Sequence, residues 1–499
     1  MAQKKTIAKT TPHAKLVTAV GAAHDAMRRD VGLNGDLDRI SQLAWLLFLK
    51  AFDSLEQNRE TADAEFRPVI DAPYRWRDWA DDPNGRTGDS LISFIETEFT
   101  DDRRERRPGL LPYLRGLAGT GSHDSRTAVS SVFKEINNGM FSGHLLRVVI
   151  DNINEIDFAS SDDVNTMAHL YETMLLDAHY AARGSGVFYT PRPVIRFMVE
   201  QVAPQPGEVI LDPACGTGGF LVEALEYLRP WVGTPEELQR LQENLRGVEK
   251  SALAYLFGMM NMFLHEVGEP NLIRGDALAK PITEIRRTDQ ADVIITNPPF
   301  GGIVEGRIQD NFPTDMRTAE TEWLFIQLVV RLLTHRGRCA IVVPDRVIFG
   351  NRVGARIKQQ LLQECNLHTV VRLPKGVLEP STAIPLNLLF FEKTGRTRET
   401  WFYEIRPPEG RKKYTKTMPV SFEEFDRCRA WWKNRVEDEF AWRVLIESIK
   451  SADFNLDFRN PNQPHDLAHR PPAELLGELI EVEAEILRLL KSLEQGLQA

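Results

Sequence analysis

A chain of 499 residues is long enough for about three domains. Its 42% hydrophobic and 26% charged residues are those of an ordinary globular chain, and no apolar run nears the roughly 18 residues needed to span a bilayer. A net charge of −10 argues against nucleic-acid binding by the surface as a whole, so any such reading must find its positive charge on local patches or on a partner.

The first 24 residues hold four lysines and no acid, and the pattern predicts a disordered tail. Helices follow. "DLDRISQLAWLLFLKAFDSLEQ" (Asp36 to Gln57) places Ile40, Leu43, Ala44, Leu47 and Phe48 three and four apart, the stripe of a buried helix. "DSLISFIETEF" and "AVSSVFKEINNGMF" continue in that style. The charge run "DDRRERRPG" (Asp101 to Gly109) is expected to be a solvated face rather than a phosphate contact.

From about residue 186 short β-like runs alternate with helices. "EVILD", "LRGVE", "NLIRGD", "ADVIIT", "GRCAIVVP", "HTVVRL" and finally "PLNLLFFEK" are the expected strands, and "GGFLVEALEYL", "SALAYLFGMMNMFLH" and "ETEWLFIQLVVRLL" are expected helices. The alternation predicts an α/β, doubly wound sheet. Domain boundaries are expected near 165 and 415: a helical domain over 1–165, a catalytic domain over 166–415, and a tail over 416–499 ending in a long helix. In that helix Leu475, Leu479, Val482, Ile486, Leu489 and Leu493 alternate four and three apart, a coiled-coil seam suited to a partner's helix. Cys215, Cys339, Cys365 and Cys428 lie far apart, so neither a metal site nor a disulfide framework is expected, and a reducing cytoplasm fits.

Three stretches carry chemistry. "LDPACGTGGF" ends a strand in Asp212 and opens a helix through Gly216, Thr217, Gly218 and Gly219; such a turn lets backbone approach a ligand closely. Glu249 and Asp276 close the next two strands, where acids can take ribose hydroxyls and an adenine amino group. "TNPPFGG" stops a core strand with an amide, two prolines and a ring. Asn297 Oδ1 and the Pro298 carbonyl can each accept one N–H of an amino group, Pro299 adds stiffness, and Phe300 can stack on a planar base. Upstream, "FYTPRPVI" puts Phe188 and Tyr189 before a helix start, with Thr190 as the expected N-cap and Pro191 following.

These motifs together resemble the modification subunit of type I restriction–modification systems, a family of S-adenosylmethionine-dependent DNA adenine-N6 methyltransferases. The resemblance runs over nearly the whole chain, from "DRISQLAWLLFLKAFD" to "LPKGVLEPSTAIPLNLLFFEK" and "ADFNLDFRNPN". It implies a Rossmann-like methyltransferase sheet with an N-terminal helical domain and a C-terminal helical tail. It implies that Phe188, Tyr189, Thr190 and Pro191 line the cofactor, and that Asp212 with Gly216, Thr217, Gly218 and Gly219 holds its methionine part. Glu249 would bind the ribose, Asp276 the adenine end, and Asn297, Pro298, Pro299 and Phe300 a flipped target adenine in double-stranded DNA. It further implies a separate specificity subunit, two modification subunits to each, and a restriction and translocase subunit. No Gly-Lys dipeptide occurs, so a Walker A loop is not expected in this chain. Methylation of a protein glutamine amide or an RNA base by the same loop, and a non-catalytic role holding the cofactor for assembly, stand as alternatives.

Overall fold

The computed structural model describes residues 12–82, 84–101, 103–117, 125–156, 190–349, 352–378, 384–411, 413–415, 418–462, 483, 486 and 488. Phe188, Tyr189 and nearly all of the C-terminal seam lie outside the described residues. The expected N-terminal tail is corrected in part: a helix begins at Pro12 and runs to Met27, and its later turns bury Ala19, Ala23, Ala26 and Met27. Small residues at that spacing pack a helix closely, which an absence of acids does not reveal.

The apolar stripe of the second helix, Asp36–Ala62, is buried, and Asp36 and Asp38 in its first turn complement the helix dipole. Its Phe48 and Phe52 meet Phe263 edge-on at 6.0 and 5.1 Å between ring centres. Phe263 belongs to the helix Ala252–Leu264 that covers the sheet. One apolar core therefore runs from the N-terminal helices into the sheet layer. The charge run forms the turn after β1 (Glu98–Thr100) and the strand β2 (Arg106–Pro108) itself, where Arg106 pairs with Glu98 at 2.6 Å and Arg107 with Asp101 at 2.9 Å. Those arginines are occupied by their own hairpin's acids, as a solvated face would have it.

The main sheet holds nine strands among the described residues: β3 (Ile210–Asp212), β4 (Leu245–Glu249), β5 (Asn271–Arg274), β6 (Ala291–Thr296), β7 (Leu333–Pro344), β8 (Asn366–Arg372), β9 (Leu386–Glu392), β10 (Glu399–Glu404) and β11 (Ala441–Leu445). Their order is β11-β10-β8-β9-β7-β6-β3-β4-β5. The strands β5, β4, β3, β6 and β7 are parallel; β9 runs antiparallel between β7 and β8. Every expected strand is present, but the sheet does not end at β9. Strands β10 and β11 extend the edge, β10 parallel to β8 and β11 antiparallel to β10, so residues 441–445 of the expected tail segment join the sheet.

The strands read as continuous apolar runs because helices cover both faces. On β6, Val293 and Ile295 enter one core and Ile294 the other. The chain winds outward from β3 to β5, then restarts at β6 on the other side of β3. That reversal opens a crevice at the carboxyl ends of β3 and β6, the position where open α/β sheets take ligands.

Candidate active site

Asp212 ends β3 and is 1% exposed. Its Oδ1 accepts the Ala214 N–H at 3.0 Å, and its side chain meets the Thr296 hydroxyl of the neighbouring strand. Burial pushes this carboxyl up to about 7, and the nearby charge of Glu249 adds to the rise. The glycine loop then turns, with Gly216 at φ +52° and Gly218 at φ +74°, into the helix Gly219–Leu228. A side chain at Gly218 would be strained in that left-handed conformation. The loop is gripped from the helix Ala252–Leu264: Asn261 Nδ2 donates to the Thr217 carbonyl at 2.9 Å, and a Cβ on Gly258 would come within 3.0 Å of the Gly216 carbonyl.

The two further acids are more engaged than their positions alone imply. Glu249 Oε2 accepts the Gly216 N–H at 2.9 Å, and Oε1 accepts the Ser251 N–H at 2.6 Å. It thus ties the end of β4 to the glycine loop, and burial raises its pKa despite those bonds. Asp276 lies two residues beyond β5; its Oδ1 accepts the Leu278 N–H at 2.9 Å, and its Oδ2 pairs with Lys250 at 2.9 Å. Each carboxylate oxygen retains a lone pair for a ligand.

On the neighbouring strand, β6 runs directly into Asn297, which is 8% exposed. Its Nδ2 donates to Thr190 Oγ1 at 2.9 Å, a buried bond across 107 positions. Its Oδ1 has no partner among the described residues. Thr190 is therefore not the N-cap expected of it: Pro191 occupies the cap of the helix Arg192–Val202, and the threonine hydroxyl serves the amide instead. The Pro299 carbonyl accepts from Thr321 Oγ1 at 2.8 Å, so the loop's anchored carbonyl is Pro299's rather than Pro298's. Phe300 is 3% exposed and packs within the core, its ring covered rather than open to solvent.

Sequence reasoning passed over Asn261, Thr321 and the pair next to Thr321. That pair is Glu322, 1% exposed, and Arg346, whose guanidinium meets it just beyond β7. No local signal marks these residues: Asn261 and Thr321 are ordinary positions of buried helices until the loops they hold are known, and Glu322 and Arg346 are an ordinary acid and base until the fold pairs them. Unsatisfied buried polar atoms are rare. Asn297 Oδ1 is one here, at the carboxyl end of β6 and beside the buried Asp212 carboxyl that ends the adjacent β3. A buried acid next to a neutral acceptor suits a cationic ligand beside an amino group.

The N-6 DNA methylase family profile matches residues 162–470. This chain belongs to that family. It is 43% identical to the EcoEI type I restriction enzyme methylase subunit of Escherichia coli, over 97% of both chains, and 27% identical to the EcoKI methylase subunit of strain K12, over 91% of both. Its fold matches the modification subunit of a putative type I restriction enzyme from Vibrio vulnificus YJ016 with a TM-score of 0.85 at 48% identity, covering 94% of this chain and 100% of that one. As a member of the N-6 DNA methylase family, it is the modification subunit of a type I restriction–modification system and an adenine-N6 DNA methyltransferase. Family membership favours DNA over the amide and RNA substrates. The nine-stranded sheet with helices before it is the methyltransferase fold that the motifs imply.

Proposed function

We propose that the chain transfers the methyl group of S-adenosylmethionine to N6 of an adenine flipped out of duplex DNA, with the crevice between β3 and β6 holding both reactants. The observation that carries this reading is the side-by-side placement of a buried acid and a buried amide, the amide with its oxygen unpartnered among the described residues. S-adenosylmethionine fits the first loop. Gly216 to Gly219 leave backbone open to approach, and Asp212 offers a carboxylate to a cationic ammonium. Glu249 and Asp276 keep lone pairs for the ribose hydroxyls and the adenine amino group, and Thr190 and Pro191 border the same crevice.

The cofactor supplies an electrophilic methyl on a sulfonium; transfer to N6 leaves a neutral thioether and releases one proton. The protein's part is orientation. Asn297 Oδ1 accepts one N6–H and the Pro298 carbonyl the other, which turns the nitrogen lone pair out of the ring's conjugation. Pro298 and Pro299 hold those acceptors still, and Thr321 fixes the loop from below through the Pro299 carbonyl. The buried Phe300 ring would have to uncover an edge or face to meet the base, so flipping couples to a local side-chain shift.

The same reading places site recognition on a separate specificity subunit, two of these chains to each, with the C-terminal seam as the docking helix and a restriction and translocase subunit in the full complex. A relative solved in work on complex assembly of the type I restriction–modification system matches with a TM-score of 0.75 at 37% identity, which supports assembly into such a complex. The division at 165 and 415 and a cytoplasmic setting belong to the proposal as well; no helix among the described residues is long and apolar enough to cross a membrane. Incubating the chain, its specificity subunit and cognate DNA with methyl-labelled cofactor tests the reading. Label should appear as N6-methyladenine in DNA, and about 10²–10³ times more slowly with Asn297→Ala; a rate for that variant within a few-fold of the parent would overturn it.

A further inference from the structure

Asn297 has to present an oxygen, not an NH2, to the target amino group, and an amide on its own has no preference between its two ends. Rotating it by 180° swaps an acceptor for a donor, which would repel the N6–H it is meant to receive. Something must hold it. Among the described residues the one side-chain bond recorded for Asn297 is that from Nδ2 to Thr190 Oγ1, at 2.9 Å. Both residues are buried, at 8% and 6% exposure, so water does not compete freely for either end of the amide.

Thr190 is itself held. It directly precedes Pro191, whose fixed φ of −58° caps the helix Arg192–Val202, and that helix buries Val194, Ile195, Phe197 and Met198 against the sheet. The hydroxyl that meets Asn297 thus hangs from a packed element rather than a free loop.

We propose that Thr190 is a positioning residue for methyl transfer: its buried hydroxyl bonds the Asn297 side chain and holds the amide's place and plane beside the target. This rests on the role of Asn297 proposed above, and adds to it that the residue before Pro191 and the helix Arg192–Val202 holds the amide as well as bordering the cofactor.

The test uses the full-length chain assembled with its specificity subunit. Thr190→Val keeps the shape and removes the hydroxyl; Thr190→Ser keeps the hydroxyl. Thr190→Val should slow single-turnover methylation by about 10- to 100-fold, the cost of misplacing a reacting group by a fraction of its bond length or turning it the wrong way. Its affinities for S-adenosylmethionine and for cognate DNA, by calorimetry and by fluorescence anisotropy, should stay within about threefold of the parent. Thr190→Ser should recover most of the rate. In an Asn297→Ala background, Thr190→Val should cost nothing further, because there is no amide left to orient.

Three results would overturn the inference: an unchanged rate in Thr190→Val, a rate loss matched by an equal loss of cofactor affinity, or additive losses in the double variant. If Asn297→Ala itself retains activity, the functional reading fails first, and the two failures are told apart by that single control. Thermal melting of each variant separates a folding defect, and Thr190→Ser still decides the case if Thr190→Val melts early.

Discussion

The two loops that meet at the crevice are built in opposite ways. The loop after β3 is made of glycines at positive φ and is fastened by its backbone: Glu249 takes the Gly216 N–H, and Asn261 holds the Thr217 carbonyl. The loop after β6 is made of prolines and is fastened at its side chain and one carbonyl: Thr190 takes the Asn297 amide, and Thr321 holds the Pro299 carbonyl. The first carries a buried acid, and the second leaves an amide oxygen unpartnered among the described residues. The difference fits the proposed work. A cofactor with a positive charge is bound by close backbone and a carboxylate, whereas an amino group to be activated needs a neutral, rigid acceptor that does not compete for its proton.

The contrast predicts that the loops fail differently when altered. Asn297→Ala should lower the methylation rate by about 10²–10³ while leaving cofactor affinity nearly intact, since removing one preorganised polar contact acts on the chemical step. Rapid-quench kinetics beside calorimetry would show it; a parallel loss of affinity would mean the loops are not separate in function. Gly218→Val should do the reverse. At φ +74° a β-branched residue costs on the order of 1–3 kcal/mol, so cofactor affinity should fall about 10- to 100-fold with assembly on the specificity subunit unchanged.

A third difference concerns pH. The free Asp212 carboxyl is raised to about 7 by burial, so at pH 5.5 the folded, cofactor-free chain holds it protonated. The unfolded chain ionises it near pH 4. The folded state therefore binds the extra proton between those values, and this group's contribution to stability falls as pH rises from about 4 to 7 and is level above. A cationic ligand favours the carboxylate and must expel that proton below pH 7. Cofactor affinity should climb with pH, at most about tenfold per unit, and flatten above 7. Asp212→Asn should bind more weakly and lose the slope, as calorimetry across pH 5.5–8 would reveal. The amide loop carries no titrating group, so its variants, which keep Asp212, should show the parent's slope in cofactor affinity. The smallest effect is expected at Thr321→Val. Losing one neutral hydrogen bond to a loop that prolines already stiffen is worth about 1 kcal/mol, a rate change of roughly fivefold, with cofactor affinity unaltered.

Much of this architecture is local in origin. The strands over 208–344 announce themselves because a strand covered on both faces needs an unbroken apolar run, and each is bounded by glycine, proline or an acid. Asp212, Glu249 and Asn297 could be singled out for the same reason: they stand at strand ends, and strand ends in such sheets line one rim. Strands β10 and β11 were harder to see. "ETWFYE" and "AWRVL" mix charges and rings, and become strands only by pairing with β8 and with each other. The N-cap expectation for Thr190 failed on similar grounds. A Thr-Pro before a helix fits a cap by its immediate neighbours, but the hydroxyl was drawn to an amide 107 positions away.

Residue types and their spacing marked the family, the glycine loop and the strand-end amide, because those depend on what a strand end and a glycine turn can do anywhere. Which oxygens stay free was decided only when the chain closed on itself. Glu249 spends one bond on Gly216, Pro299 is claimed by Thr321, and Asn297 is held by Thr190. A hydrogen-bonding group has few partners, and the first donor brought within 3 Å by the fold takes the place that sequence left open.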